Sequence, residues 1–152
     1  MATALDVISL QNAKDFLVID FPDRDPEIER HIKAAVSFVE KYTCHILYQR
    51  PASYQVTGKN DCYVEIYEYP ITFTDTTIKK VNEILSVKVY VKSGVQVLTT
   101  IGYATVDLIP TELVEACYKL IQYLTENKDI YGANLPWDIQ MMINKYRRSP
   151  TI

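Results

Sequence analysis

Asp25-Pro26-Glu27-Ile28-Glu29-Arg30-His31-Ile32-Lys33-Ala34-Ala35-Val36-Ser37-Phe38-Val39-Glu40-Lys41-Tyr42 repeats its apolar residues in steps of three and four. Ile28, Ile32, Ala35, Val39 and Tyr42 fall on one stripe that Ile46 continues, while Glu29, Arg30, Lys33, Glu40 and Lys41 occupy other faces. That is the pattern of an amphipathic helix with one face committed to a core. Pro26 suits a first helical position, Glu27 suits the positive end of the helix dipole, and Asp25 is the expected N-cap. The spacing predicts a helix from Pro26 to about Leu47, about 33 Å long at ~1.5 Å per residue.

Upstream, Ser9 precedes Leu10, Ala13, Phe16 and Leu17, which predicts a short helix from Ser9 to Leu17 capped by the Ser9 hydroxyl. An acidic turn, Asp20-Phe21-Pro22-Asp23-Arg24-Asp25, joins the two helices. Downstream the period changes. Between Tyr54 and Tyr103 alternation replaces the helical repeat, most clearly where Leu85, Val87, Val89 and Val91 alternate with Ser86, Lys88, Tyr90 and Lys92. Ser93-Gly94 supplies a turn and Val95, Val97, Thr99 and Ile101 resume the alternation, which predicts a β-hairpin. Tyr63-Val64-Glu65-Ile66-Tyr67 reads as an earlier strand that stops near Pro70.

The helical period returns at Pro110, with Leu113, Cys117, Leu120, Ile121 and Leu124 on one stripe, and Gly132 closes that region. A last helix is expected from about Pro136, carrying Trp137, Ile139, Met142, Ile143 and Tyr146 and ending at Arg147-Arg148. The expected fold is α+β and mainly α-helical: a bundle of one short N-terminal helix, one long helix and two C-terminal helices, with a small antiparallel sheet inserted. One domain is expected over residues 1–152, with a helical body at 9–50 and 108–148, a β insertion at about 54–104 and a tail at 149–152.

Composition narrows the function classes. The chain has 152 residues, of which 48% are hydrophobic and 23% charged, as in an ordinary globular domain. At that length a fold buries roughly 68–70% of the unfolded surface, so no disulfide or metal staple is required. The formal net charge of −3 argues against a protein whose main work is gripping phosphate backbones. The local basic clusters, Lys79-Lys80 and the trio Lys145, Arg147 and Arg148, make no stripe. Cys44, Cys62 and Cys117 form no CxxC pair and are expected to be buried apolar thiols in a reducing compartment. The N-terminus lacks the charged and apolar regions of a secretory signal, and no run approaches the ~18 apolar residues that span a bilayer.

Catalytic and metal-binding patterns are sparse. His31 lies among charged helix neighbours and is expected to be solvated, and His45 beside Cys44 has no second ligand pair. Asp23, Asp25 and Glu27 alternate like the first ligands of an EF-hand loop. The sixth position is Ile28 where glycine is required, and the twelfth is Ala34 where a bidentate glutamate belongs. Gly58, Gly94, Gly102 and Gly132 stand singly, which leaves no phosphate-cradling loop. These patterns favour a non-enzymatic protein without cofactor or metal. Tyrosine, by contrast, occurs twelve times. Tyr63, Tyr67, Tyr69 and Tyr90 lie in or near the predicted strands, and half-buried tyrosine supplies contact area at protein interfaces, so these four are candidate interface residues.

The order of motifs resembles the head-tail connector (adaptor) family of tailed bacteriophages, in its sheet-containing type. The resemblance is carried by Ile8-Ser9-Leu10-Gln11-Asn12-Ala13-Lys14-Asp15-Phe16-Leu17, the acidic turn, Pro26 to Ala35, and Val39-Glu40-Lys41-Tyr42-Thr43. At the other end it is carried by Ile101-Gly102-Tyr103-Ala104, Ile109-Pro110, Tyr123 to Lys128, Leu135-Pro136 and Lys145-Tyr146-Arg147-Arg148. It spans about Ile8 to Arg148 and rests on order and spacing, since each motif is short. Two positions depart from it: Cys44 stands where relatives commonly have glycine, which would let the helix continue to Ile46 or beyond, and no tryptophan stands near Tyr123.

The resemblance implies a structural virion protein at the head-tail interface, made in the host bacterial cytoplasm. It would form a homo-oligomeric ring, expected to be a dodecamer, beneath the portal protein, extend the DNA channel, and present a surface to a tail-completion or stopper protein. Genomic DNA would pass through without specific binding, and no membrane would be involved. Related adaptors dock on the portal through their C-termini, which makes Tyr146, Arg147, Arg148 and Ile152 the candidate docking tail. The alternative reading, carried only by the basic C-terminal trio, is a small DNA-binding or DNA-packaging accessory protein.

Overall fold

The structure is a computed structural model and describes residues 2–55, 60–75, 77–127 and 135–148. Five helices and six strands are present among them: α1 (Ala4–Val7), α2 (Leu10–Leu17), α3 (Asp25–Thr43), β1 (Arg50–Gln55), β2 (Cys62–Ile66), β3 (Ile71–Phe73), β4 (Lys80–Asn82), β5 (Val87–Val91), β6 (Gln96–Ile101), α4 (Thr111–Asn127) and α5 (Trp137–Asn144). The fold is α+β and mainly helical, as the change of period predicts.

α2 begins where expected, and the Asn12 backbone N–H donates to Ser9 Oγ at 3.1 Å. The expected stripe of α4 is buried throughout: Leu113, Cys117, Leu120 and Ile121 share a core with Ile28, Ile32, Ala35 and Val39 of α3 and Ile139 and Ile143 of α5, and Leu124 is buried as well. α1 has no counterpart in the sequence reading. It is a single turn whose signal is Thr3-x-x-Asp6, with the Thr3 backbone N–H donating to Asp6 Oδ2 at 2.6 Å.

α3 differs from expectation at both ends. Asp25 is the first helical residue rather than the N-cap, and its carboxylate takes the Lys14 ammonium at 2.6 Å instead of capping. The helix stops at Thr43, because Cys44 takes the left-handed conformation, φ 59°, that a glycine commonly supplies. Side chains satisfy what a longer helix would have paired internally. Thr43 Oγ1 accepts from the His45 N–H at 3.1 Å and Glu40 Oε1 from the Leu47 N–H at 2.8 Å, while the Thr43 carbonyl accepts from the Arg148 N–H at 3.1 Å. The helix is therefore about 28 Å long at ~1.5 Å per residue.

The expected hairpin across Ser93-Gly94 is a turn between sheets. β5 is the centre of one three-stranded antiparallel sheet, ordered β2-β5-β4, and β6 is the centre of another, ordered β1-β6-β3. Each strand is already paired on both edges, so the chain crosses from one sheet to the other at Gly94, φ 74°. The expected alternation holds within the strands, where Val89, Val91, Val97, Thr99 and Ile101 are buried, and fails at the turns, where Leu85 and Val95 are exposed and Ser86 is buried. Ile66 and Phe73 join Val89, Val91 and Val97 in a second apolar core shared by the two sheets, distinct from the helical one.

Three chain segments tie the sheets to the helices. The Ile46 N–H donates to the Tyr69 carbonyl (2.7 Å), Tyr69 N–H to Cys44 (2.9 Å), Gly102 N–H to Pro70 (2.9 Å) and Tyr103 N–H to Ile46 (3.1 Å). Gly102 has φ 102°, and a Cβ on it would lie 2.3 Å from the Tyr48 carbonyl oxygen. Only glycine fits there.

Candidate assembly surfaces

The junction is an aromatic cluster around a buried histidine. His45 Nδ1 lies 2.8 Å from the Tyr103 hydroxyl, and its ring meets Tyr69 and Tyr146 edge-on with centroids 5.2 and 5.6 Å away. Burial, assisted by the nearby Arg148 charge, lowers the His45 pKa to about 4. Burial pushes the Tyr103 hydroxyl up to about 12.

The C-terminal candidates surround this cluster. Tyr146 donates its hydroxyl to Glu112, which raises its pKa to about 12, and Lys145 pairs with the same carboxylate. The Arg147 guanidinium lies over the Tyr42 ring at 5.2 Å and that of Arg148 over the Tyr69 ring at 4.5 Å. Arg147 and Arg148 stand past the end of α5, not within it: the Tyr146 and Arg147 N–H groups bond back to Ile143 and Asn144, and the Arg148 N–H leaves the helix for Thr43. Tyr42, in turn, donates its hydroxyl to Asn144 Oδ1 at 2.5 Å. Ile152 lies outside the described residues.

The four tyrosines expected at an interface do not form one patch. Tyr63 and Tyr90 are cross-strand partners on the outer face of the β2-β5-β4 sheet, with ring centroids 5.3 Å apart and the Tyr90 hydroxyl donating to Asp61 at 3.0 Å. Tyr67 lies between this face and a groove on the helical body, and Tyr69 belongs to the junction. At the other end of the same sheet from the Tyr63–Tyr90 pair, the β4-β5 turn presents Ile84 at 93% exposure together with Leu85, near Glu65 and Tyr67.

The groove, about 700 Å³, runs along α3 between the N-terminal turn and the junction. Ala4, Val36, Ile46, Tyr48 and Tyr67 supply its apolar lining, and Lys33 and Lys41 stand on it as exposed cations. Arg50, from the start of β1, clamps Glu40 at this groove, and that hydrogen bond raises the Arg50 pKa.

Other residues singled out in the sequence sit differently from expectation. His31 is buried rather than solvated, with Nδ1 3.1 Å from the Thr125 hydroxyl, because it falls on the side of α3 that faces α4. Cys117 is buried as expected, Cys44 is half-buried, and Cys62, opening an edge strand, is exposed. Glu27 holds Arg24 at 2.9 Å and Asp25 holds Lys14 at 2.6 Å, so the two carboxylates at the start of α3 are engaged in ion pairs. Among the described residues no group of three or more His, Cys, Asp or Glu side chains could hold a metal ion, and no helix is long and apolar enough to cross a membrane. The Glu40–Arg50 clamp and the groove leave one signal in the sequence, a glutamate, Glu40, beside the apolar stripe of α3.

No family model matches the sequence, and no curated protein matches it. Solved structures do match the fold. A chain from the neck of an empty gene transfer agent (GTA) particle, computed with C6 symmetry, superposes with a TM-score of 0.73 at 14% identity, covering 100% of this chain and 95% of that one. This chain shares its fold with a GTA neck component. A chain from the neck of the native GTA particle, computed with C12 symmetry, gives 0.67 at 16% identity over 99% of this chain and 95% of the other. A chain from the virion of the native particle gives 0.66 at 14% identity over 100% and 95%. The likeness runs through both the helical body and the two sheets.

Proposed function

We propose that this chain is a structural neck subunit of a phage-like particle: a head-tail connector that forms a ring beneath the portal, extends the DNA channel and offers its far side to a tail or stopper protein. The observation that carries this reading is the end-to-end agreement of fold with chains from necks reconstructed with C6 and C12 symmetry. Rings of identical subunits use heterologous contacts, in which one flank complements the opposite flank of the next copy. The motif order from Ile8 to Arg148 points the same way.

In this reading Tyr63 and Tyr90 belong to a contact surface, and Tyr146, Arg147, Arg148 and Ile152 are the portal-docking residues. Mixing the purified chain with its cognate portal and imaging by negative-stain electron microscopy tests the proposal. A ring coaxial with the portal is expected, and a portal that stays bare at saturating subunit contradicts it.

A further inference from the structure

Two features of the helical body are complementary and face opposite ways. α5 turns Ile139 and Ile143 into the core, and Trp137 and Met141 stand roughly 200° round the helix from them at ~100° per residue. Trp137, the single tryptophan of the chain, is 73% exposed and Met141 is 54% exposed. As an i, i+4 pair they form one apolar ridge. On α3 the same geometry separates two sides. Ala35 and Val39 pack on the core, and Ser37, in the groove, stands roughly 200° away from each. Tyr42, on the core side, meets Asn144 of α5. The groove and the ridge therefore lie on opposite flanks of the packed α3–α5 layer.

Their chemistry also matches. An exposed tryptophan with a flexible methionine beside it is the kind of anchor that interfaces concentrate their binding energy in, once a partner pocket excludes water. The groove is concave, apolar at its walls and large enough, at about 700 Å³, to admit an indole. Its exposed lysines, Lys33 and Lys41, have no carboxylate within ion-pair distance among the described residues. Beside the ridge, Glu126 and Asp138 line one shallow depression, where Asp138 takes the Lys119 ammonium at 2.6 Å and Glu126, which no lysine or arginine pairs among the described residues, accepts from Gln122 at 3.0 Å.

We propose that the ridge of one copy, Trp137 and Met141, seats in the α3 groove of the next copy, with Glu126 brought toward Lys33 and Lys41. The occupant of the groove is a second copy of this chain. This inference rests on the neck-subunit reading and specifies its subunit contact: a ridge and a groove on opposite flanks make a head-to-tail interface, which closes into a ring when the rotation fits.

Photo-crosslinking of the full chain tests it, with p-benzoylphenylalanine in place of Trp137, in concentrated protein alone and on the portal. The expected result is a covalent dimer whose second peptide lies within residues 33–48. Crosslinks that map elsewhere, or no dimer under either condition, overturn it. Sedimentation supplies a second readout. Trp137→Asp and Ser37→Trp each weaken self-association at least about 30-fold, and mixing the two restores a one-to-one dimer through the remaining intact ridge and groove. Wild-type association by both variants overturns the pairing. A ring on the portal with crosslinks elsewhere sinks this contact and leaves the neck reading standing, whereas a chain that neither self-associates nor binds the portal sinks both.

Discussion

Arg50 and Glu40 meet in a two-pronged ion pair, Nη1 to Oε1 at 3.0 Å and Nη2 to Oε2 at 2.9 Å, that joins the first strand to the long helix. The Glu40 carboxylate also accepts from the Leu47 N–H at 2.8 Å, so one buried group ends the helix, holds the following loop and anchors the sheets.

Removing one side of such a pair strands the other. Glu40→Ala leaves both the Arg50 guanidinium and the Leu47 N–H without their acceptor, and about 3–5 kcal/mol of stability is expected to be lost. Urea unfolding followed by circular dichroism measures this. A loss under ~1 kcal/mol would mean that water replaces the carboxylate freely.

Gly102 and Gly94 both hold positive φ, but only Gly102 has backbone against the place of its missing Cβ. Gly94→Ala should cost about 1 kcal/mol, from the left-handed conformation alone. Gly102→Ala adds the clash with the Tyr48 carbonyl and should cost at least ~3 kcal/mol. Thermal melts of the two variants, compared side by side, give the difference.

The neutral His45 in its tyrosine cluster makes stability depend on pH. Its folded pKa, about 4, lies below the ordinary 6.5, so the unfolded chain binds the proton more readily. The contribution is fully present above pH 6.5 and is lost as pH falls from there toward 4. About 2 kcal/mol is expected to disappear across that window. His31, also lowered by burial, adds in the same direction. The stability difference between wild type and His45→Gln should shift in favour of the variant as the pH falls from 6.5 to 4; a difference that stays flat contradicts the assignment.

Tyr63 and Tyr90 separate folding from assembly. They meet edge to face on the outer face of a sheet, so Tyr63→Ala should change stability by less than about 1 kcal/mol. Binding to the tail-side neighbour should fall at least about tenfold, read by co-sedimentation. Unchanged binding would remove these two residues from the interface.

Much of the fold was legible because amphipathic period survives in a single sequence. The stripes of α3 and α4 and the alternation of Val87, Val89 and Val91 each reported a buried face. What stayed hidden was non-local. Nothing near Cys44 says that the Thr43 carbonyl will be taken by Arg148, more than a hundred residues later, and that the helix must stop. Val87–Val91 and Gln96–Ile101 look like a hairpin because the turn between them is real, while their true partners lie elsewhere along the chain. His31 was misplaced because its neighbours in sequence are charged while its neighbours in space are α4 side chains, Thr125 among them. The tyrosine signal was compositional, so it could mark aromatic surface without dividing it between sheet face, groove and junction.

A neck subunit is defined by where its polypeptide sits in the particle. Cryo-electron microscopy of intact particles, with the neck reconstructed to side-chain detail, decides it. The expected density is a ring of this chain between the capsid vertex and the tail, with each subunit presenting opposite flanks to its two neighbours. Particles whose neck contains none of this chain would contradict the account.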